Sequence, residues 1–271
     1  MRYPGLLAFL LVLLLSVSVN GQQTSVSDPS LAPKDPQAVR ILMQSLAVAG
    51  GSATISAIAD YTATGNVTYH WANDVQGAVT IQGMGFEDIR IDATLPNGVR
   101  SEAVHSGQTT VKDTDGNISQ FPPTYALPRS EAFTYKTPMV PSSVAFPYLE
   151  FTAVLNDPRV SLSYDGLVQV DGRSVQQIEA RRVFSARAAA MDEYHVSDYF
   201  IDASTLQIVL IRDVIPVHAV HEIRYADYRV VNGALMPSSI SEQIGGQPTW
   251  DMQLSQFSFN TGLQDSGFVI Q

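Results

Sequence analysis

The 271-residue chain has no cysteine, which removes a disulfide framework, a soft metal ligand, a thiol nucleophile and a lipid-modified cysteine behind an export signal. Basic residues are few: 16 Lys and Arg stand against 26 Asp and Glu, for a net charge of −10. Phosphate backbones and anionic lipid surfaces repel such a chain, so nucleic acid is set aside as a partner. Plain solubility is a sufficient reason for the acidity. Catalytic signatures are missing as well. There is no Gly-x-Ser-x-Gly elbow, no His-Glu-x-x-His and no glycine-rich phosphate loop, and no cofactor or metal is implied.

Long apolar runs are confined to the start. Arg2 followed by the apolar stretch Leu6 to Val19 and the small residues of Val19-Asn20-Gly21 has the layout of a signal peptide, residues 1–21, with cleavage before Gln22. That stretch is shorter than the roughly 20 residues a membrane-spanning helix needs, so export to a periplasmic or secreted location without a stable membrane anchor is expected. Residues 22–34 are polar with two prolines and suit a disordered leader. The remainder, 35–271, is long enough to bury a large core as one domain.

Asp35 is a good N-cap and Pro36 a good first helical residue. Val39, Leu42, Met43 and Leu46 then follow at helical spacing until Gly50-Gly51. From Asp60 the period becomes 2, with turn signals such as Pro96-Asn97-Gly98, Asp171-Gly172 and Asn232-Gly233 between alternating segments. After Leu254 the inward phase slips to Phe257 and Phe259, which predicts a bulge. This reads as an α+β fold: a strongly curved antiparallel sheet forming an unclosed β-barrel of about ten strands, covered by an N-terminal helix and a short helical lid insert. The insert is residues 121–158, which hold seven of the fifteen prolines and seven aromatics. So many prolines exclude a central strand and favour short helices over the sheet. An ordinary core-filling crossover has the same composition.

Polar candidates are weak. His218 and His221 in His-Ala-Val-His-Glu are three apart, which on a strand places them on opposite faces and argues against a shared ion. Asp113-Thr-Asp115-Gly116-Asn117 lacks the later ligands of a calcium loop and suits a hairpin turn. Asp198 and Asp202 form a carboxylate pair for acid–base work only if their surroundings tune them.

The order of elements, together with Asn156-Asp157-Pro158, Tyr164-Asp165-Gly166, Val170-Asp171-Gly172-Arg173, Ile201-Asp202-Ala203-Ser204-Thr205 and the run from Tyr225 to Pro237, resembles the LolA/LolB-like family of lipoprotein-sorting carriers. The resemblance spans roughly residues 35–270. It implies a periplasmic carrier for lipoprotein acyl chains or another lipid-like apolar ligand, exchanged with membrane donor and acceptor proteins and needing no catalytic residue. It also implies an arginine in an early strand that ties sheet to lid, here Arg100; the alternative is a surface arginine paired with Glu102 or Glu87. On this reading Met139, Val140, Val144, Phe146 and Leu149, with Phe151 and Leu155, form the inner face of the lid. Trp250, Met252 and Leu254 are then among the sheet residues opposite. Two other classes stay open: an envelope structural or protein-interaction module with a filled core, and an enzyme dependent on a polar residue such as His195 or Asp198.

Overall fold

The computed structural model describes residues 32–70, 73–85, 88–121, 144–183, 194–214 and 220–271. The proposed signal segment and the lid residues Met139 and Val140 lie outside the described residues, as does His218. Three α-helices are present among them: α1 (Pro36–Val48), α2 (Ser52–Ser56) and α3 (Tyr148–Asn156). The first run of strands is β1 (Asp60–Tyr69), β2 (Val75–Met84), β3 (Asp88–Leu95), β4 (Gly98–His105), β5 (Gln108–Lys112) and β6 (Ile118–Phe121). After α3 come β7 (Val160–Val170), β8 (Arg173–Val183), β9 (Tyr194–Asp202), β10 (Ile208–Val214), β11 (Val220–Val231), β12 (Ala234–Ile244) and β13 (Gln247–Phe259).

All thirteen strands form one antiparallel sheet in the order 6-5-4-3-2-1-13-12-11-10-9-8-7, with β6 and β7 at its two edges. The sheet is thus unclosed, as the sequence suggests, but it has thirteen strands rather than about ten. β6 is one strand the pattern hides. It has four residues between the Asp115-Gly116 turn and Pro122, too few for an alternation to show.

The topology gives the insert its position. Every strand-to-strand link but one joins sheet neighbours, so each meander advances strand by strand. The connection from β6 to β7 instead runs from one edge of the sheet to the other, and it carries α3. Arg100 on β4 and Tyr69 on β1 are three strands apart, and their long side chains meet across the inner face, with the guanidinium 5.9 Å from the Tyr69 ring centre.

Local chemistry fixes the ends of α1. Asp35 accepts hydrogen bonds from the amides of Gln37 at 2.6 Å and Ala38 at 3.1 Å. At the other end Gly50 has φ 117°, and a Cβ there would meet the Gly233 carbonyl oxygen at 2.2 Å. Only glycine lets the helix end sit directly on the β11–β12 hairpin, where the Leu235 amide donates to the Ala49 carbonyl at 2.9 Å. The bulge expected after Leu254 is present: Gly65 pairs with Leu254 and Thr64 with Gln256, leaving Ser255 as the extra residue. It switches the inward phase so that Phe257 and Phe259 both pack against the core.

One apolar cluster joins the inner face of the sheet to all three helices. Phe146 lies 6.1 Å edge-on from Tyr61 and 6.1 Å from Phe259, and Phe151 lies 5.1 Å from Tyr199. Gly83 makes room for this arrangement, since a Cβ there would strike the Tyr61 ring at 2.2 Å.

Residues 32–35 run beside the start of β7. The Ala32 and Asp35 amides donate to the carbonyls of Pro158 and Leu162, and the Leu162 amide donates to that of Pro33. Lys34 then reaches the exposed carbonyls at the end of α3, donating to Val154 at 2.8 Å and Leu155 at 2.7 Å. A cation at a helix C-terminus satisfies orphan acceptors and opposes the helix dipole. Lys34→Ala is therefore expected to lower unfolding free energy by about 1–2 kcal/mol in urea titrations, and to speed amide exchange across α3.

Candidate functional site

The inner face of the sheet beneath α3 carries two kinds of side chain. The apolar set contains most of the residues marked out by the sequence. Val144, Phe146 and Phe151 are fully excluded from solvent at 0% exposure, and Trp250, Met252 and Leu254 are buried in the same cluster. Leu149 and Leu155 pack against it while partly exposed, at the border of the helical cover. Side chains excluded so completely border no space as large as a water molecule, so this part of the interface is closed and dry. Burial pushes the Tyr61 hydroxyl far above its ordinary range, against one backbone hydrogen bond at Ala145, and pushes that of Tyr148 up to about 12.

Arg100 faces inward on β4 in the register position opposite Ala93. It is buried, ion-paired with Glu102 and held over the Tyr69 ring. The Glu102 partner weighed from spacing is thus present, but the pair lies on the inner face rather than on the surface. Glu87 lies outside the described residues.

The second set is polar and was not assembled by sequence reading. Ser197 on β9, Asp213 on β10, His221 on β11, Glu242 on β12 and Thr249 on β13 form a row across five adjacent strands at one end of the inner face. The register pairs Asp213 with both Ser197 and His221. Ser197 Oγ donates to Asp213 Oδ1 at 2.6 Å, and His221 Nδ1 lies 3.5 Å from Asp213 Oδ2. His221 Nε2 is 2.9 Å from Glu242 Oε1, and the Thr249 hydroxyl rests on the same carboxylate. A bulge between Glu242 and Gln243 turns Thr249 inward to make that contact. His221 is 1% exposed and Glu242 4%. Burial opposes a charge on His221, but its bonds and Coulomb attraction to Asp213 and Glu242 outweigh burial and raise its pKa to about 9. His221 is therefore an imidazolium at neutral pH, clamped between two carboxylates, and the geometry leaves neither ring nitrogen open to a metal ion. Glu222, next in the chain, faces outward and pairs with Arg212 and Arg224.

Nearer the middle, Tyr199 Oη donates to Glu150 Oε1 of α3 at 2.9 Å, tying cover to sheet. The signal for this row was available in the alternation. His221 shares a phase with Ile223 and Tyr225, and Glu242 with Ile240, so both polar side chains occur where apolar ones line the core.

Other candidates separate. Asp198 lies mid-strand on the outer face and accepts from Gln177, while Asp202 ends β9 and caps the turn of Ser204 and Thr205, so the two carboxylates do different work. Burial, with the charges of Glu179 and Asp165, lifts the Asp198 carboxyl despite the Gln177 bond. The His195 side chain lies outside the described residues. Asp113 closes a hairpin turn by accepting from Asp115 and Asn117, as its spacing suggests. A cleft of about 510 Å³ opens on the outer face between β3–β5 and residues 266–271; there Arg90 is engaged by Asp92 and the Gly267 carbonyl.

An open-edged antiparallel sheet with an apolar face that a few short helices close is an arrangement this chain shares with solved structures. Among solved structures, an outer membrane lipoprotein-sorting domain from Vibrio parahaemolyticus matches over 86% of this chain and 96% of its own, with TM-score 0.54 and 10% identity. A LolA superfamily protein from Nitrosomonas europaea matches over 86% and 98%, with TM-score 0.53 and 10% identity. A DUF1329 family protein from Desulfovibrio piger matches over 88% and 98%, with TM-score 0.51 and 9% identity. The likeness is one of fold. No protein-family model and no curated protein matches the sequence. Among the described residues no helix is long and apolar enough to cross a membrane.

Proposed function

We propose that this protein is a non-catalytic carrier, exported to the periplasm, that holds a lipoprotein acyl chain or similar alkyl ligand between the inner face of the sheet and its helical cover. The observation that supports this most is the mismatch between the broad apolar cluster on the inner face of the sheet and the short helices over it: α3, with nine residues, is held partly by the single Lys34 side chain and the Tyr199–Glu150 bond. The packed form is then the empty form. Ligand enters as α3 lifts, exchanging contacts made by Phe146, Phe151 and the border residues Leu149 and Leu155 for contacts with the alkyl chain. Trp250, Met252 and Leu254 form the floor beneath the ligand. Methionine and aromatic side chains suit this exchange because they repack around irregular shapes. Met139 and Val140 complete the cover, Arg100 ties sheet to cover, residues 1–21 direct export, and membrane donor and acceptor proteins load and unload the cargo.

The magnitude is adequate. Each buried methylene contributes about 0.8 kcal/mol, so a dozen give on the order of 10 kcal/mol before ordering is subtracted. The complete exclusion of Phe146 and Phe151 from solvent favours a second reading, an envelope interaction module whose core stays filled. Alkyl probes of increasing length separate the two. Titrated calorimetrically against the full chain, a carrier shows affinity rising about three- to four-fold per added methylene. A filled module shows no binding at any length, and that result sinks the carrier reading.

A further inference from the structure

We infer that residues 32–35 are a latch: through Lys34 they hold α3 shut over the apolar face and set how readily the carrier opens. The inference rests on the carrier reading and gives it a means of regulation. α3 is poorly equipped to hold its own ends. It has nine residues, too few for a stable isolated helix, with no side-chain cap at Pro147 and no basic residue in its last turn. The terminal carbonyls of Val154 and Leu155 take their hydrogen bonds instead from Lys34 Nζ, at 2.8 and 2.7 Å, across more than a hundred residues of sequence.

Lys34 is fixed from both sides. Before it, the Ala32 amide donates to the Pro158 carbonyl; after it, the Asp35 amide donates to that of Leu162 while the Asp35 carboxylate caps α1. The Leu162 amide donates in return to Pro33, and Lys34 bridges Leu162 in parallel sense, so the segment lies along the edge strand β7. A backbone pinned in this way follows a moving helix only as far as its side chain swings. α3 therefore lifts when Lys34 releases both carbonyls, and whatever peels residues 32–35 from the β7 edge releases them. The Tyr199–Glu150 bond is a separate hold, so losing Lys34 loosens the cover without detaching it. On this assignment the Lys34 bonds exist in the closed, empty form and are broken in the loaded one. Removing them enlarges the minor population that admits ligand, and apparent affinity rises by the same factor.

The test is equilibrium and stopped-flow fluorescence titration of the full chain with an NBD-labelled dodecanoate, comparing wild type with Lys34→Met, which keeps an unbranched stem and removes the donors. Lys34→Met is expected to bind about five- to thirty-fold more tightly, through faster association and an unchanged dissociation rate, even though it unfolds more readily; at about 1.4 kcal/mol per tenfold this is the stability loss expected for Lys34→Ala. Ser45→Ala is the control. It removes the 2.6 Å bond from Ser45 to the Leu206 carbonyl, which does not involve α3, and is expected to lower the thermal midpoint without tightening binding. Probe binding by Lys34→Met but not by wild type supports the latch in its strongest form. Affinity in Lys34→Met equal to or below wild type, or a gain that Ser45→Ala shares, overturns the latch while leaving carriage standing. Binding by neither wild type nor Lys34→Met overturns carriage and latch together.

Discussion

His221→Ala is expected to lower unfolding free energy by about 3–5 kcal/mol, because it strands Asp213 and Glu242 in the interior without their shared cation. Equilibrium urea unfolding at pH 7 measures this directly, and a loss below about 1 kcal/mol would show that the clamp carries little weight. Replacing the imidazole together with both carboxylates by leucine should restore much of the loss, since a packed apolar set avoids the desolvation that the ions incur. The same group sets a pH dependence. Its folded pKa of about 9 lies above the ordinary histidine value near 6.5. The folded state therefore holds the proton more tightly, and the contribution is fully present below about pH 6.5. It is lost as pH rises through about 9, an expected decline of about 3 kcal/mol that His221→Ala should abolish.

Phe151→Ala is expected to remove a further about 3–5 kcal/mol, for a different reason. The ring packs edge-on against both Tyr148 and Tyr199 and is wholly buried, so truncation leaves a void that two rigid neighbours cannot fill. On the carrier reading that void lies in the path of the ligand. A twelve-carbon alkyl probe should then raise the thermal midpoint of the variant more than that of wild type, as apolar cavities accept apolar guests. A variant that is destabilised but no better protected by the probe would place Phe151 in a core that never opens.

The fold was legible where one short segment decides the local structure. Asp35, Pro36 and Gly50 bound α1 through their own backbone chemistry. The Asp171-Gly172 and Asn232-Gly233 turns adopt positive φ at both positions, and the slip after Leu254 is a bulge. The count of strands was less legible, because β6 is too short to declare a period. The burial of Val144, Phe146 and Phe151 was foreshadowed by the aromatic stretch around them, although sequence alone does not distinguish a ligand-lined face from a packed one. The polar side was missed altogether. Ser197, Asp213, His221, Glu242 and Thr249 come from five strands, and only the pairing register makes neighbours of them. Weighing His221 only for an ion shared with His218 overlooked that it has the inward phase of Ile223 and Tyr225, where a lone imidazole would be an uncompensated polar group.

The row from Ser197 to Thr249 also has a mechanical meaning. Backbone ladders hold each strand to its neighbour, whereas this chain of side chains runs crosswise and laces β9 to β13 into a single stiff plate at one rim. Bending is thereby displaced elsewhere, toward the seam where β13 meets β1 and the hairpins beyond it. On the carrier reading, widening to admit a ligand falls on the side that this lacing leaves out.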